Sequence, residues 1–175
     1  GFDWSAITAH KDRTIRQLRG GIASLFKGRA VTSIAGRARF DAPGRVVVTA
    51  ADGQEQVVTA DHVVIATGSV PMRIAGWPDD PAKGCTSDEA VHWQDLPRQL
   101  LIVGGGVIGC EFACMMQSFG VEVTIVEMMP RILPTLDADL GTELLKTFKQ
   151  RGIACHLDTK VEEMRLVDER VAVRL

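Results

Sequence analysis

The stretch Gln99-Leu-Leu-Ile-Val103, Gly104-Gly-Gly106-Val-Ile-Gly109, with Val121-Glu-Val-Thr-Ile-Val126 and Glu127 after it, decides the fold. Gln99–Val103 is a short apolar run of the kind buried on both faces of a parallel sheet. The glycines make a turn, and a helix follows to about Ser118, closed by Gly120. A second strand then ends at the acid Glu127. A second helix from about Asp137 to Gln150, stopped by Gly152, feeds a third strand, Ile153-Ala-Cys-His-Leu157. This strand–helix alternation predicts a parallel sheet with right-handed, helix-covered crossovers.

The glycine spacing carries chemistry as well as shape. Gly104 makes the tight turn from strand to helix, Gly106 lets a pyrophosphate approach the backbone, and Gly109 lets the helix pack closely on the strand. The free N–H groups and positive end of that helix suit phosphate charge. Glu127 lies 23 residues beyond Gly104, at the carboxyl edge of the second strand. A carboxylate there accepts hydrogen bonds from both hydroxyls of an adenosine ribose and repels a 2′-phosphate, which favours NAD over NADP.

Outward from this unit, residues 6 to 27 read as an amphipathic helix with Ile15, Leu18, Ile22 and Leu25 on one face and Gly28 as its stop. From 30 to 66 the period changes to two. The runs AVTSI, RVVVTA, QVVTA and HVVIA predict an antiparallel meander, with a type I′ hairpin at Asp52-Gly53. The last run, His62 to Gly68, reads as a strand buried on both faces. Residues 69 to 98, with Pro71, Pro78, Pro81 and Pro97, read as a linker. Val161 to Leu175 reads as the start of another β-ribbon.

Composition narrows the partners. Twenty Lys+Arg against twenty-two Asp+Glu in 175 residues give a net charge of −2. Together with six Phe, three Trp and no Tyr, this argues against nucleic-acid binding. No apolar run approaches a membrane span, so no membrane partner is expected. Cys85, Cys110, Cys114 and Cys155 fit neither a disulfide framework nor a zinc site, so no metal is expected and a reducing, cytoplasmic compartment is. Cys110 and Cys114, at i and i+4, read as packing residues, and His10, His62, His92 and His156 as surface or strand residues.

Four stretches together resemble the flavin-dependent pyridine nucleotide–disulfide oxidoreductases. They are Val64-Ile-Ala-Thr-Gly-Ser-x-Pro71, Thr86-Ser-Asp-Glu-Ala90, Gly104-Gly-Gly-Val-Ile-Gly-Cys-Glu111 and Thr124-Ile-Val-Glu127. Gly120 to Pro134 is similar to the branch that oxidises dihydrolipoamide. The resemblance implies an α/β, three-layer Rossmann-like FAD/NAD(P)-binding fold with a parallel sheet and an antiparallel β-meander, incomplete at both ends. Residues 1–70 would be the C-terminal part of the FAD-binding domain, 71–98 a linker, and 99–175 the N-terminal portion of the NAD-binding domain.

The cofactors implied are FAD and NAD. NAD would lie at Gly104, Gly106, Ile108, Gly109 and Glu127. FAD would lie at Gly36, Ala38, Ala66, Thr67 and Gly68, although a bulge or turn glycine explains Gly36 and Ala38 equally well, and an ordinary strand end at a glycine is the better reading of 66–68 taken alone. Glu111, read as an acid at the buried start of a helix, matches a glutamate that pairs with a lysine near the flavin in relatives; a simple helix-terminal charge is the other reading. By periodicity alone Ile108 is helix core. Met128 and Pro134 stand where NADP-using relatives carry arginine, in agreement with NAD. The redox pair C-x-x-x-x-C of relatives is absent from these residues. An internal segment of a longer homodimeric enzyme is therefore expected, whose lipoyl-domain partner belongs to a 2-oxoacid dehydrogenase complex. Mercuric or NADH-dependent disulfide reductases, and an inactive nucleotide-binding fragment, are the alternatives.

Overall fold

The computed structural model describes residues 1–78, 80, 83–168 and 170–175; Pro81 of the expected linker lies outside them. The chain divides into two compact units, Ala9–Val70 and a second made of Gly1–Thr8 with Pro71–Leu175. Helix α1 spans Trp4–Gly28, so its first residues count with the second unit. The expected helix forms, but Leu18, Ile22 and Leu25 are exposed along it and Ile15 is only half-buried.

In the first unit, strands β1 (Arg37–Ala42), β2 (Arg45–Thr49) and β3 (Glu55–Thr59) form an antiparallel meander in the order β1-β2-β3. Its buried apolar residues are Val47 and Val48, both on the central strand. The β2–β3 connection is not the two-residue turn expected. Ala50 N–H donates to Gln54 O (2.8 Å), Gly53 N–H to Ala50 O (3.0 Å), and only Gly53 has positive φ, at 84°. That is a three-residue loop with glycine in the left-handed position, a form that spares Asp52 the strain of positive φ. The strands expected at 30–34 and 62–66 are also absent. Val64 and Ile65 are 86% and 71% exposed. An apolar run becomes a strand only when a neighbour completes its ladder, and no described strand pairs with these residues.

The second unit is built on the predicted alternation. After the one-turn helix α2 (Ser87–Ala90) come β4 (Gln99–Val103), α3 (Val107–Ser118), β5 (Glu122–Val126), α4 (Ala138–Gln150) and β6 (Ala154–His156). The three strands are parallel, in the order β4-β5-β6. Strands β7 (Glu163–Val167) and β8 (Arg170–Arg174) form a separate antiparallel ribbon. The fold is thus mixed α/β with parallel and antiparallel sheets. Its core is one cluster in which Ala113 and Met116 of α3, Ile125 of β5, Ile132 of the loop after β5 and Phe148 of α4 are fully buried. These apolar contacts, removed from water, fix the helices to the sheet.

At the N-terminus, Phe119 packs against the rings of Phe2 (5.0 Å between centroids) and Trp4 (5.2 Å), and Trp4 Nε1–H donates to Trp93 O (3.2 Å). Residues 71–98 belong to this compact unit. Within them, Thr86-Ser-Asp-Glu89 is a capping box: Thr86 N–H donates to Glu89 Oε2 (2.8 Å), the Thr86 hydroxyl to the same oxygen (2.6 Å), and Asp88 N–H to Thr86 Oγ1 (3.3 Å). Arg73 pairs with the same carboxylate.

Replacing the cap, Thr86→Ala, costs about 1 kcal/mol, read as a lower urea midpoint at unchanged slope. The Thr86 hydroxyl first, then the Thr86 N–H and the Arg73 charge, hold the Glu89 carboxyl down to about 2. A depressed carboxyl adds stability that is present above its ordinary value of 4.5 and lost as pH falls toward 2. Glu89→Gln therefore flattens the stability profile across that acid window, and an unchanged profile contradicts the assignment.

Candidate functional site

The site grows from the ends of two parallel strands. The register pairs Val103 of β4 with Val126 of β5, so both strands finish at the same level. Gly104 N–H then donates to Val126 O (2.8 Å), which brings the glycine turn beside Glu127. Gly104 has φ of +110°, a conformation open to glycine and strained for any other residue. Gly106 caps α3 with extended backbone, and a Cβ built on it meets no atom within 4 Å. Open space over this residue, at a helix start whose first N–H groups lack intrahelical partners, is a cradle for an anion. At Gly109 a Cβ would lie 2.1 Å from Gly104 O, so the third glycine answers to helix–turn packing.

Glu127 is buried, with 7% of its surface exposed. Its Oε2 accepts from Gly105 N–H at 2.6 Å, and its Oε1 from Met129 N–H at 2.8 Å. The carboxylate thus ties the glycine turn to the loop after β5. That loop returns the contact: Leu133, itself at φ +50°, donates its N–H to Gly105 O at 2.7 Å.

Gly105, the unspecified position of the motif, was not marked by the spacing rule. A Cβ there would lie 2.8 Å from Ile132 Cγ2. Gly141, inside α4, was missed for the same reason: its Cβ would meet Ile132 O at 2.6 Å. A glycine inside an otherwise good helix was the one available signal.

Other expected site residues lie differently. Ile108 is 59% exposed and, with Gly104 and Gly106, lines an open cleft of about 1820 Å³ shared with Arg73, Cys85 and Trp93. It is therefore not helix core, because Cys110, Ala113 and Met116 take the buried face of α3. Glu111 is exposed and follows the first turn of α3, which carries no acid, so it is not a buried helix start. In the other unit, Gly36 lies where a Cβ would meet Thr49 O at 2.6 Å, so strand approach explains the glycine. Ala38 stands opposite Val48 on β1. Ala66, Thr67 and Gly68 are exposed and outside any strand, with Gly68 at φ +74°.

All four cysteines are free thiols. Cys110 is buried behind the turn and its Sγ lies 3.4 Å from Gly105 O, in donor geometry. Burial first, then the neighbouring Cys155, Cys114 and Glu127, push its thiol up to about 11. Among the described residues no group of acids, histidines and cysteines could hold a metal ion, and no helix is long and apolar enough to cross a membrane.

Comparison with known proteins agrees with this geometry. The family model of pyridine nucleotide-disulphide oxidoreductases matches residues 3–175. Dihydrolipoyl dehydrogenase of Acholeplasma laidlawii is 40% identical, covering 100% of this chain and 51% of its own length. The enzyme of the same name from Chlorobaculum tepidum is 37% identical over 89% of this chain and 33% of its own. The crystal structure of LpdA from Mycobacterium tuberculosis superposes with a TM-score of 0.90 at 28% identity, covering 99% of this chain and 39% of that one.

A glycine turn of this geometry at the end of a parallel sheet, in a chain that also holds an antiparallel meander, is that of a dinucleotide-binding α/β protein. The chain belongs to the pyridine nucleotide-disulphide oxidoreductase family. It spans between a third and a half of the length of these relatives. Membership implies FAD and NAD(H) as the cofactors. The Gly104–Gly109 turn with Glu127 has the donors, the open approach and the acid that a dinucleotide needs.

The raised Cys110 thiol fixes a pH dependence. A thiol that stays protonated longer in the folded chain than in the unfolded one adds stability that is whole below pH 9 and is lost as pH rises to about 11. Cys110→Ala makes the fall in denaturation midpoint between pH 9 and 11 shallower; an equal fall in both proteins contradicts the assignment.

Proposed function

We propose that this chain is the NAD-holding portion of an FAD- and NAD-dependent dihydrolipoamide dehydrogenase. The observation that carries the reading is the buried Glu127 carboxylate, 2.6 Å from Gly105 N–H, beside a Gly106 that nothing covers. The α3 N-terminus and its unpaired N–H groups meet the pyrophosphate, with Gly106 giving it room. Glu127 accepts hydrogen bonds from the adenosine ribose and opposes a 2′-phosphate, so NADH is preferred to NADPH. Ile108, exposed in the cleft, offers an apolar surface to the nicotinamide half. Glu111 lies one turn further along α3 as the flavin-side acid.

Residues 1–70 contribute the C-terminal part of the FAD-binding domain, with Gly36, Ala38, Ala66, Thr67 and Gly68 toward FAD. Residues 71–98 link it to the NAD-binding portion at 99–175. In the whole enzyme the bound cofactors supply electron relay from a dithiol to NAD⁺, while the protein binds and orients them. The names and identities of the relatives support a dihydrolipoyl substrate; in the whole enzyme a lipoyl domain would carry it and a homodimer would be the working form. Four free thiols favour the reducing cytoplasm.

Two substitutions test the site. Glu127→Ala weakens NADH binding by about 1–3 kcal/mol through lost hydrogen bonds to a charged group. Gly106→Ala fills open space at an unstrained φ of −72°, so it leaves the melting temperature in place while it weakens NADH binding. Unchanged affinity of both variants in a fluorescence titration removes NADH from this turn.

A further inference from the structure

Gly105 is the buried centre of the glycine turn, and every polar group of its residue is engaged. Its N–H donates to Glu127 Oε2 at 2.6 Å. Its carbonyl accepts from Leu133 N–H at 2.7 Å, with Cys110 Sγ at 3.4 Å. A buried N–H without a partner would cost as much as a lost hydrogen bond, and Glu127 is what satisfies this one.

Glu127 is itself fixed from several sides. Its N–H donates to His156 O at 2.8 Å, its carbonyl accepts from Thr159 N–H at 3.0 Å, and its second carboxylate oxygen accepts from Met129 N–H at 2.8 Å. The acid is therefore a rigid bracket anchored to β6 and to the following loop, and the turn hangs on it.

We propose that Glu127 is a positioning residue for the glycine turn: its carboxylate holds the Gly105 peptide in the nucleotide-receiving geometry before any nucleotide arrives. The inference deepens the nucleotide reading and rests on it for the identity of the ligand. A carboxylate has about four acceptor positions. Two backbone N–H groups leave room for ribose hydroxyls, so positioning and ribose contact coexist on one side chain. One consequence is a division among the turn's donors. The Gly105 N–H is committed to Glu127, and the anion is left to Gly106 and the N–H groups that open α3.

The test separates turn positioning from ribose contact with a nucleotide that has no ribose hydroxyls. The 175-residue chain and its Glu127→Met variant, which removes both acceptors at similar length, are titrated with ADP and with 2′,3′-dideoxy-ADP. Amide hydrogen exchange is followed in the nucleotide-free proteins. Positioning predicts that the variant loses affinity for dideoxy-ADP by about tenfold, the scale of one charged hydrogen bond. It also predicts that Gly105 exchange accelerates selectively, with the Ile125 amide of β5 unchanged.

Equal dideoxy-ADP affinity in both proteins, with only ADP weakened, assigns Glu127 to the hydroxyls alone and overturns the proposal. So does an unprotected Gly105 amide in the parent chain. If neither nucleotide binds the parent chain, selective loss of Gly105 protection still upholds the positioning role, and the nucleotide reading is what fails. Glu127→Gln, which keeps one acceptor, covers a methionine variant that does not fold. There, protection at either Gly105 or Met129 is lost, and retention of both contradicts the bracket.

Discussion

In-register parallel pairing of β4 with β5 is the constraint on which the site depends. Because Val103 faces Val126, the turn leaving one strand and the acid ending the other arrive at the same height. A slip of one residue would turn the Glu127 side chain to the opposite face of the sheet and leave the Gly105 N–H buried without an acceptor. The register is held in turn by the core beneath it, where Val123 and Ile125 pack with Met116, Ile132 and Phe148. Apolar burial thus sets the geometry of a polar site.

The loop after β5 is the second half of the device. Ile132 touches the glycine turn on one side and a helix on the other, through the missing side chains of Gly105 and Gly141. Leu133 accepts a left-handed backbone to aim its N–H at Gly105 O. Such strain in a residue other than glycine persists only where surrounding contacts over-determine it. Here those contacts are a buried isoleucine, a close helix and a two-pronged carboxylate.

Much of this was legible in the residues. The alternation of apolar strands with glycine-closed helices gave β4 through β6 to within a residue or two, and the acid spacing pointed to Glu127. What periodicity could not tell was which side a residue faces once the helix docks. Ile108 and Glu111 both lie on the exposed side of α3, away from Cys110, Ala113 and Met116. The strand read at 62–66 failed for a non-local reason, since composition records apolarity but not whether a neighbouring strand exists. The constraint on Gly105 is not local, since it comes from Ile132, well along the chain. The stretch at 86–90, informative as a resemblance, has a local physical explanation in its capping box.

A dinucleotide bound at the glycine turn and its acid would perturb both segments together. The most direct measurement is an amide chemical-shift map of the 175-residue chain titrated with NADH. The largest shifts are expected at Gly104 to Gly109 and at Glu127 to Met129, with the β1–β3 meander little changed. Saturable binding that leaves those amides unmoved would contradict binding at the turn.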